Sequence, residues 1–483
     1  MIFLNFFLVL ISLFSGNLQF SIFLVFLLFL ANKYYKRTTS IIIYLFLFLI
    51  AFPEAFVGET VLFRNIIYLF AISVLIINML QKRRAFIKLK IWQIFFISII
   101  SLAALIIYTP ILLETFTDAN IFNGPEEKFI SNQRDSNMLG FALPMLIGGP
   151  ILILSIIRDF NDRVDLRVLY RYLKILTWII VILSLIRFVT EIEFIPQNYL
   201  DTVRNDGYRL SGVNHPDSIS YGKKLLLPLA LVLSYFVSGF RVGRNALLLF
   251  FILISLFITY SRMLIASSLI IVIVIILYNF KFSIVFKGLI YLFSIVGILF
   301  LSGGIKKLET RSLSSESASG INMSGRDLIY ETAIPIIVAS PYVGLRPGGW
   351  NSLLIKGYSY TRQGYTGEMG FQSAHSFYLV VALEWGLPFL FLLIFILLHC
   401  LYLMHLTVRL ATKYNSIKGF SDIKIWSISI IALITGLLIL GITDFIPYPV
   451  VFFLIGLSWS LHLIVKRRIY LNNRIIEPDT VKM

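Results

Sequence analysis

Long apolar runs separated by short polar intervals recur along all 483 residues, at 2–15, 18–32, 39–52, 66–80, 91–110, 138–157, 172–189, 224–240, 246–260, 263–280, 286–302, 376–406, 425–443 and 450–465. A chain with so much continuous apolar sequence has few ways to fold, because backbone amides in hydrocarbon must be hydrogen-bonded within the protein, which leaves helices and closed barrels. The runs are continuous rather than alternating, so they predict helices. Several are shorter than the ~20 residues a straight span needs, and the first two are the most doubtful as full crossings. The expectation is an all-α polytopic membrane protein with 12–14 transmembrane helices. Composition agrees: 58% of residues are hydrophobic and 14% charged, against about a quarter charged in soluble domains.

The net charge of +17 would suggest nucleic acid in a soluble protein. Here it is read by position, since basic residues gather in cytoplasmic loops of membrane proteins. If each run crosses once and residue 1 is cytoplasmic, 26 of the 42 Lys and Arg fall on the cytoplasmic side, and the short outer loops are poor in them. Both termini are then cytoplasmic, the loops 111–137, 190–223 and 303–375 face outward, and no nucleic-acid partner is expected. The first residues, MIFLNFFLVLISLFSG, have no basic start or small-residue cleavage site and read as a retained span. Three regions follow: a helical bundle over 1–302, the long outer loop 303–375, and C-terminal spans with a cytoplasmic tail over 376–483.

The lone Cys400 sits in an apolar run, which offers no disulfide or thiolate site. Neither GxGxxG after a strand nor GxxxxGK[ST] occurs, so ATP-driven chemistry has no visible seat. The five histidines are scattered and HExxH is absent, so neither a metal nor another cofactor is expected.

The chemistry concentrates in the long loop. Its Ser-rich start, 311–323, reads as a connector. Ser324 followed by Asp327 forms a capping box that opens a short amphipathic helix over 325–339, kinked at Pro335 and ended by Ser340-Pro341. Arg326 at that helix start is misplaced with respect to the helix dipole unless an anion sits there, and together with first-turn amides it makes a phosphate seat. The plain alternatives are a solvated arginine, or one paired with Asp327 or Glu331. Arg346, in the turn GLRPGGW, is a second candidate phosphate contact or part of an ordinary surface turn. Tyr342, Trp350, Tyr358, Tyr360 and Tyr365 offer faces for sugar or form an interfacial belt.

His375 stands where the loop re-enters the membrane, at the outer N-terminus of a helix. The dipole there keeps imidazole neutral, as a general base requires; the alternative is a hydrogen-bonding anchor. In Tyr260-Ser261-Arg262, two runs join with almost no loop, which is expected to bury Arg262 near the outer membrane edge, facing an anion unless it snorkels to the headgroups. Arg209 and His215, in the polar turn RLSGVNHPD, are further candidate substrate contacts, although that turn can equally serve to cap the next span.

Four features in order, RLSGVNHPD, the pair Ser261-Arg262, SGRDLIYETAIPIIVASPYVGL and AHSFYLVVALEWG, resemble the O-antigen ligase and polymerase family of bacterial surface polysaccharide assembly. The resemblance covers roughly 205–400. It implies a GT-C-like membrane glycosyltransferase of the cytoplasmic (inner) membrane with an extracytoplasmic active site, acting on an undecaprenyl-diphosphate-linked oligosaccharide without a metal or nucleotide sugar. A flippase and a chain-length regulator are the implied protein partners. Carried over, diphosphate binding falls on Arg262 and Arg326, less securely on Arg209, and acceptor activation on His375. The ligase pattern has Asn after the histidine where this chain has Ser376, which tilts the expectation from ligation towards polymerisation. A reading from another class is a flippase for the same lipid. A transporter would carry its charges at the midplane on broken helices, whereas Arg187, Glu191 and Arg262 lie near outer ends.

Overall fold

The computed structural model describes residues 149–157, 166–190, 218–279, 326–342, 344, 376–444, 446 and 448–476. All regular structure among them is helical. In chain order the helices are α1 (149–157), α2 (Leu166–Thr190), α3 (Ser218–Val237), α4 (Val242–Ile258), α5 (Arg262–Tyr278), α6 (Arg326–Ala339), α7 (Phe377–Lys413), α8 (Phe420–Leu440) and α9 (Tyr448–Ile476). Four of them, α2, α7, α8 and α9, are long and apolar enough to cross a membrane, and α4 and α5 are shorter apolar helices of 17 residues. The chain is thus an all-α polytopic membrane protein. The runs that end before residue 138 and the run 286–302 lie outside the described residues.

Every described run became a helix because an apolar segment satisfies its own amides by coiling. The short amphipathic helix also formed, over Arg326–Ala339, and it continues through Pro335 before Ser340 ends it.

Helix α8 is the central post. It packs against α2, α3, α5, α7 and α9 and buries residues on all sides, among them Trp426, Ser427, Ser429, Ala432 and Gly436. Lipid tails are as apolar as Leu, so such helices associate through close packing and interhelical hydrogen bonds. Both occur here. A Cβ at Gly436 would lie 2.8 Å from Ile271 Cγ1, and one at Gly456 would lie 3.2 Å from the Ile153 Cα. Ser429 Oγ donates to the Ala230 carbonyl at 3.2 Å, and Thr407 Oγ1 shares a 3.0 Å hydrogen bond with His462 Nδ1. In α7, by contrast, Phe391, Phe395, Leu398 and Tyr402 are exposed, and they lie three or four residues apart on one lipid-suited stripe.

One expected span is not a single helix. The run 376–406 is broken at Gly386, whose φ of 79° and ψ of 167° are non-helical. Such a backbone is essentially restricted to glycine, and Pro388 just beyond cannot supply an amide to a continuous helix. The sequence reading saw a long apolar run and missed that Gly386-Leu387-Pro388 divides it.

Candidate functional site

The polar contacts of interest lie at the end of the bundle where α3, α5, α7 and α9 begin and α4 and α8 finish. Their centre is the turn after α8. Gly441 and Asp444 carbonyls both accept from the Phe377 N–H, at 2.9 and 3.1 Å. Ser376 Oγ donates to the Gly441 carbonyl at 3.3 Å and, as N-cap of α7, accepts from the Leu379 amide. One turn earlier in α8, the Leu438 carbonyl takes the Tyr378 hydroxyl at 2.6 Å. The chain is therefore held firmly at the residue following His375. His375 itself, with Arg209, His215 and Arg346, lies outside the described residues.

Helix α6 docks on the same turn. Tyr330, one helical turn after Arg326, donates its hydroxyl to the Ile442 carbonyl at 3.4 Å. Ala333 and Leu383 are buried against each other, with Tyr330, Ile336, Ile337, Leu379 and Val380 around them. At the far end of α6 the connection enters the break in α7: the Leu387 N–H donates to the Pro341 carbonyl at 2.8 Å. Gly344, at a φ of 68°, lies so close that a Cβ would stand 2.5 Å from the Leu383 carbonyl oxygen. The helix break thus frees an amide that the loop accepts, so α6 is clipped at both ends. Arg326 is its first residue.

Arg262 opens α5. Ser261 caps that helix, its Oγ accepting from the Leu264 N–H, and Tyr260 makes the reversal with a left-handed φ of 50°. For a bulky residue this is an outlier, a strain characteristic of functional turns. The expected burial of Arg262 is corrected: its side chain is exposed. The cap places Arg262 in the first turn ahead of the stripe Leu264, Ser267, Ser268 and Ile271 that α5 buries. An exposed guanidinium at a helix start also avoids the desolvation cost the sequence reading assumed.

Two residues that sequence reasoning did not single out connect these pieces. Lys223 Nζ pairs with Asp444 Oδ1 at 3.0 Å, the side chains 9% and 15% exposed. Its neighbour Gly222 packs directly on Leu264 of α5, where a Cβ would stand 2.3 Å from Leu264 Cδ1. The contacts link Leu264 to Gly222, Lys223 to Asp444, and Asp444 to Phe377. Ser376, Phe377, Tyr330 and Lys223 therefore meet at one turn, and Leu264, two residues after Arg262, packs on the glycine beside Lys223. The available signal was an acidic residue at the end of an apolar run and a lysine at the start of another, both costly unless partnered.

At the opposite end is a second polar cluster. Asp422 Oδ2 pairs with Arg167 Nη2 at 3.1 Å and Asp422 Oδ1 accepts the Tyr235 hydroxyl at 3.3 Å. Trp426 Nε1 donates to that same hydroxyl, Tyr170 stacks on Tyr235 at 3.8 Å between centroids, and the Tyr170 hydroxyl donates to Asn245 Oδ1. It ties α2, α3, α4 and α8 together far from the candidate site.

An all-helical membrane protein whose described helix ends meet in polar turns is the class these features define. Residues 247–394 match the family model described as O-antigen ligase. That match, over less than a third of the chain, supports the resemblance to the O-antigen ligase and polymerase family that the sequence motifs implied. It spans Arg262, Arg326, Arg346 and His375, while Arg209, His215, Lys223 and Asp444 lie outside it. No curated protein matches the chain.

Proposed function

We propose that the chain is a polysaccharide polymerase that joins lipid-linked repeat units at the outer face of the cytoplasmic membrane. The observation that supports the reading is that Ser376, which follows His375, and Tyr330, on the helix that Arg326 opens, bond to the Gly441–Asp444 turn, while Lys223 pairs with Asp444 and its neighbour Gly222 packs on the helix that Arg262 opens, in a chain whose residues 247–394 match the O-antigen ligase model. The donor is an undecaprenyl-diphosphate-linked oligosaccharide. An acceptor hydroxyl attacks the anomeric carbon, the bond from that carbon to the diphosphate oxygen breaks, and the new glycosidic bond inverts the centre. His375 takes the proton of the hydroxyl. Arg262 and Arg326, with Arg209, Arg346 and His215 as further contacts, stabilise the charge that develops on the departing diphosphate. Cleavage of the sugar–diphosphate bond supplies the driving force, so this scheme includes no ATP step.

The matched family's description favours a second reading within the same chemistry, transfer of the finished glycan to a lipid or protein acceptor. Liposomes containing the purified protein, with lipid-linked repeat unit supplied on the outside, separate the possibilities. Growth of a ladder supports the polymerase. A single transfer to an added non-repeat acceptor supports the ligase. Movement of lipid without a new glycosidic bond overturns both in favour of a flippase.

A further inference from the structure

We infer that Lys223 is a positioning residue for the proposed transfer reaction, acting through its ion pair with Asp444 on the turn that holds Ser376 and Phe377 at the start of α7, next in sequence to His375; its catalytic part rests on the polymerase reading. An ion pair with exposures of only 9% and 15% is a poor device for stability alone, since desolvating two charges offsets most of their attraction. Its location gives it a different use. The residue Lys223 holds is the same one whose carbonyl, with that of Gly441, receives the Phe377 N–H. Ser376 is bonded to the Gly441 carbonyl, and His375 is the next residue along the chain. Lys223 is fixed in turn by Gly222 against Leu264, two residues into the helix that Arg262 opens. One ammonium therefore ties the turn that holds the start of α7 to the helix that Arg262 opens, and misplacement of about an ångström is enough to cost a reaction of this kind ~100-fold.

The test uses the full chain purified in detergent and reconstituted in liposomes, as wild type, Lys223→Met and Lys223→Arg. Amide hydrogen exchange of the segment starting at Ser376 is the readout that needs no activity. In Lys223→Met the Phe377 amide is expected to exchange about tenfold faster, while the Asp422 end of α8 keeps its protection. With lipid-linked repeat unit as donor, kcat is expected to fall about 10- to 100-fold with KM changed less than about twofold, and Lys223→Arg to recover most of the loss. Unchanged exchange at Phe377 overturns the inference, as does faster exchange throughout the bundle, which marks a merely structural pair. A rise in KM at constant kcat overturns it in favour of direct substrate contact, and an arginine variant no better than methionine overturns the charge argument. If wild type forms no glycosidic bond, the polymerase reading fails by itself. The exchange arm then still decides whether Lys223 holds the turn.

Discussion

His375 is one peptide bond from a side chain, Ser376, that is bonded both to its own helix and to the Gly441 carbonyl. That anchoring makes a sharp prediction for the proposed base. His375→Ala should abolish polymer while leaving membrane insertion intact, and a normal glycan ladder from cells carrying that variant removes His375 from the mechanism. Arg326→Ala is expected to do the same, because the helix it opens is held at Tyr330 and Ala333. Arg262 is exposed, which leaves diphosphate contact and snorkelling distinguishable only by function. Arg262→Lys retains the charge and loses the bidentate fork. Activity should fall several-fold on the lysine and much further on Arg262→Ala, measured as initial rate of chain growth; equal, full activity in both assigns Arg262 to the headgroups.

At the level of the element, the broken helix α7 and the clipped helix α6 depend on each other. Gly386 is needed because its backbone is non-helical at positive φ, and Gly344 because the Leu383 carbonyl occupies the space a Cβ would take. Gly386→Ala should cost about 1–3 kcal/mol from the strained backbone. Gly344→Ala combines the same positive-φ strain with a clash against backbone, which cannot swing aside. Both variants are expected to lower the melting temperature in detergent and to loosen α6, seen as faster proteolysis next to Arg326; unchanged cleavage there would mean that α6 docks without the break. The C-terminal end of α6 at Ala339 is legible in the sequence, since a Ser-Pro stop is a local signal. The break was missed because the apolar pattern runs straight through Gly386-Leu387-Pro388, and only the arriving Pro341 carbonyl shows where the freed amide goes.

At the scale of the molecule, the two polar clusters sit at opposite ends of one bundle and have different expected consequences. Asp422 links Arg167 and Tyr235 at the end away from the candidate site. Asp422→Ala leaves the Tyr235 hydroxyl without that acceptor and should destabilise by about 1–3 kcal/mol, with kcat per folded protein unchanged; a selective loss of kcat would show that this end takes part in turnover. Cysteine crosslinks across the network should leave chain growth intact if the protein is a polymerase, and growth blocked by them would show that turnover needs α2, α3, α4 and α8 to part there.

The amino-acid sequence by itself determined that this chain enters a membrane as helices, where its polar loop falls, and which family it resembles, because those properties follow from local hydropathy and short motifs. Only the tertiary structure decided that α8 stands at the centre of the described helices, that Arg262 is exposed, and that Lys223 and Asp444, more than 200 residues apart, pair at the turn that holds the start of α7. Such pairings depend on which helix ends meet, and helices that pack through glycine, serine and aliphatic surfaces can do so in many arrangements that a run of apolar residues does not distinguish.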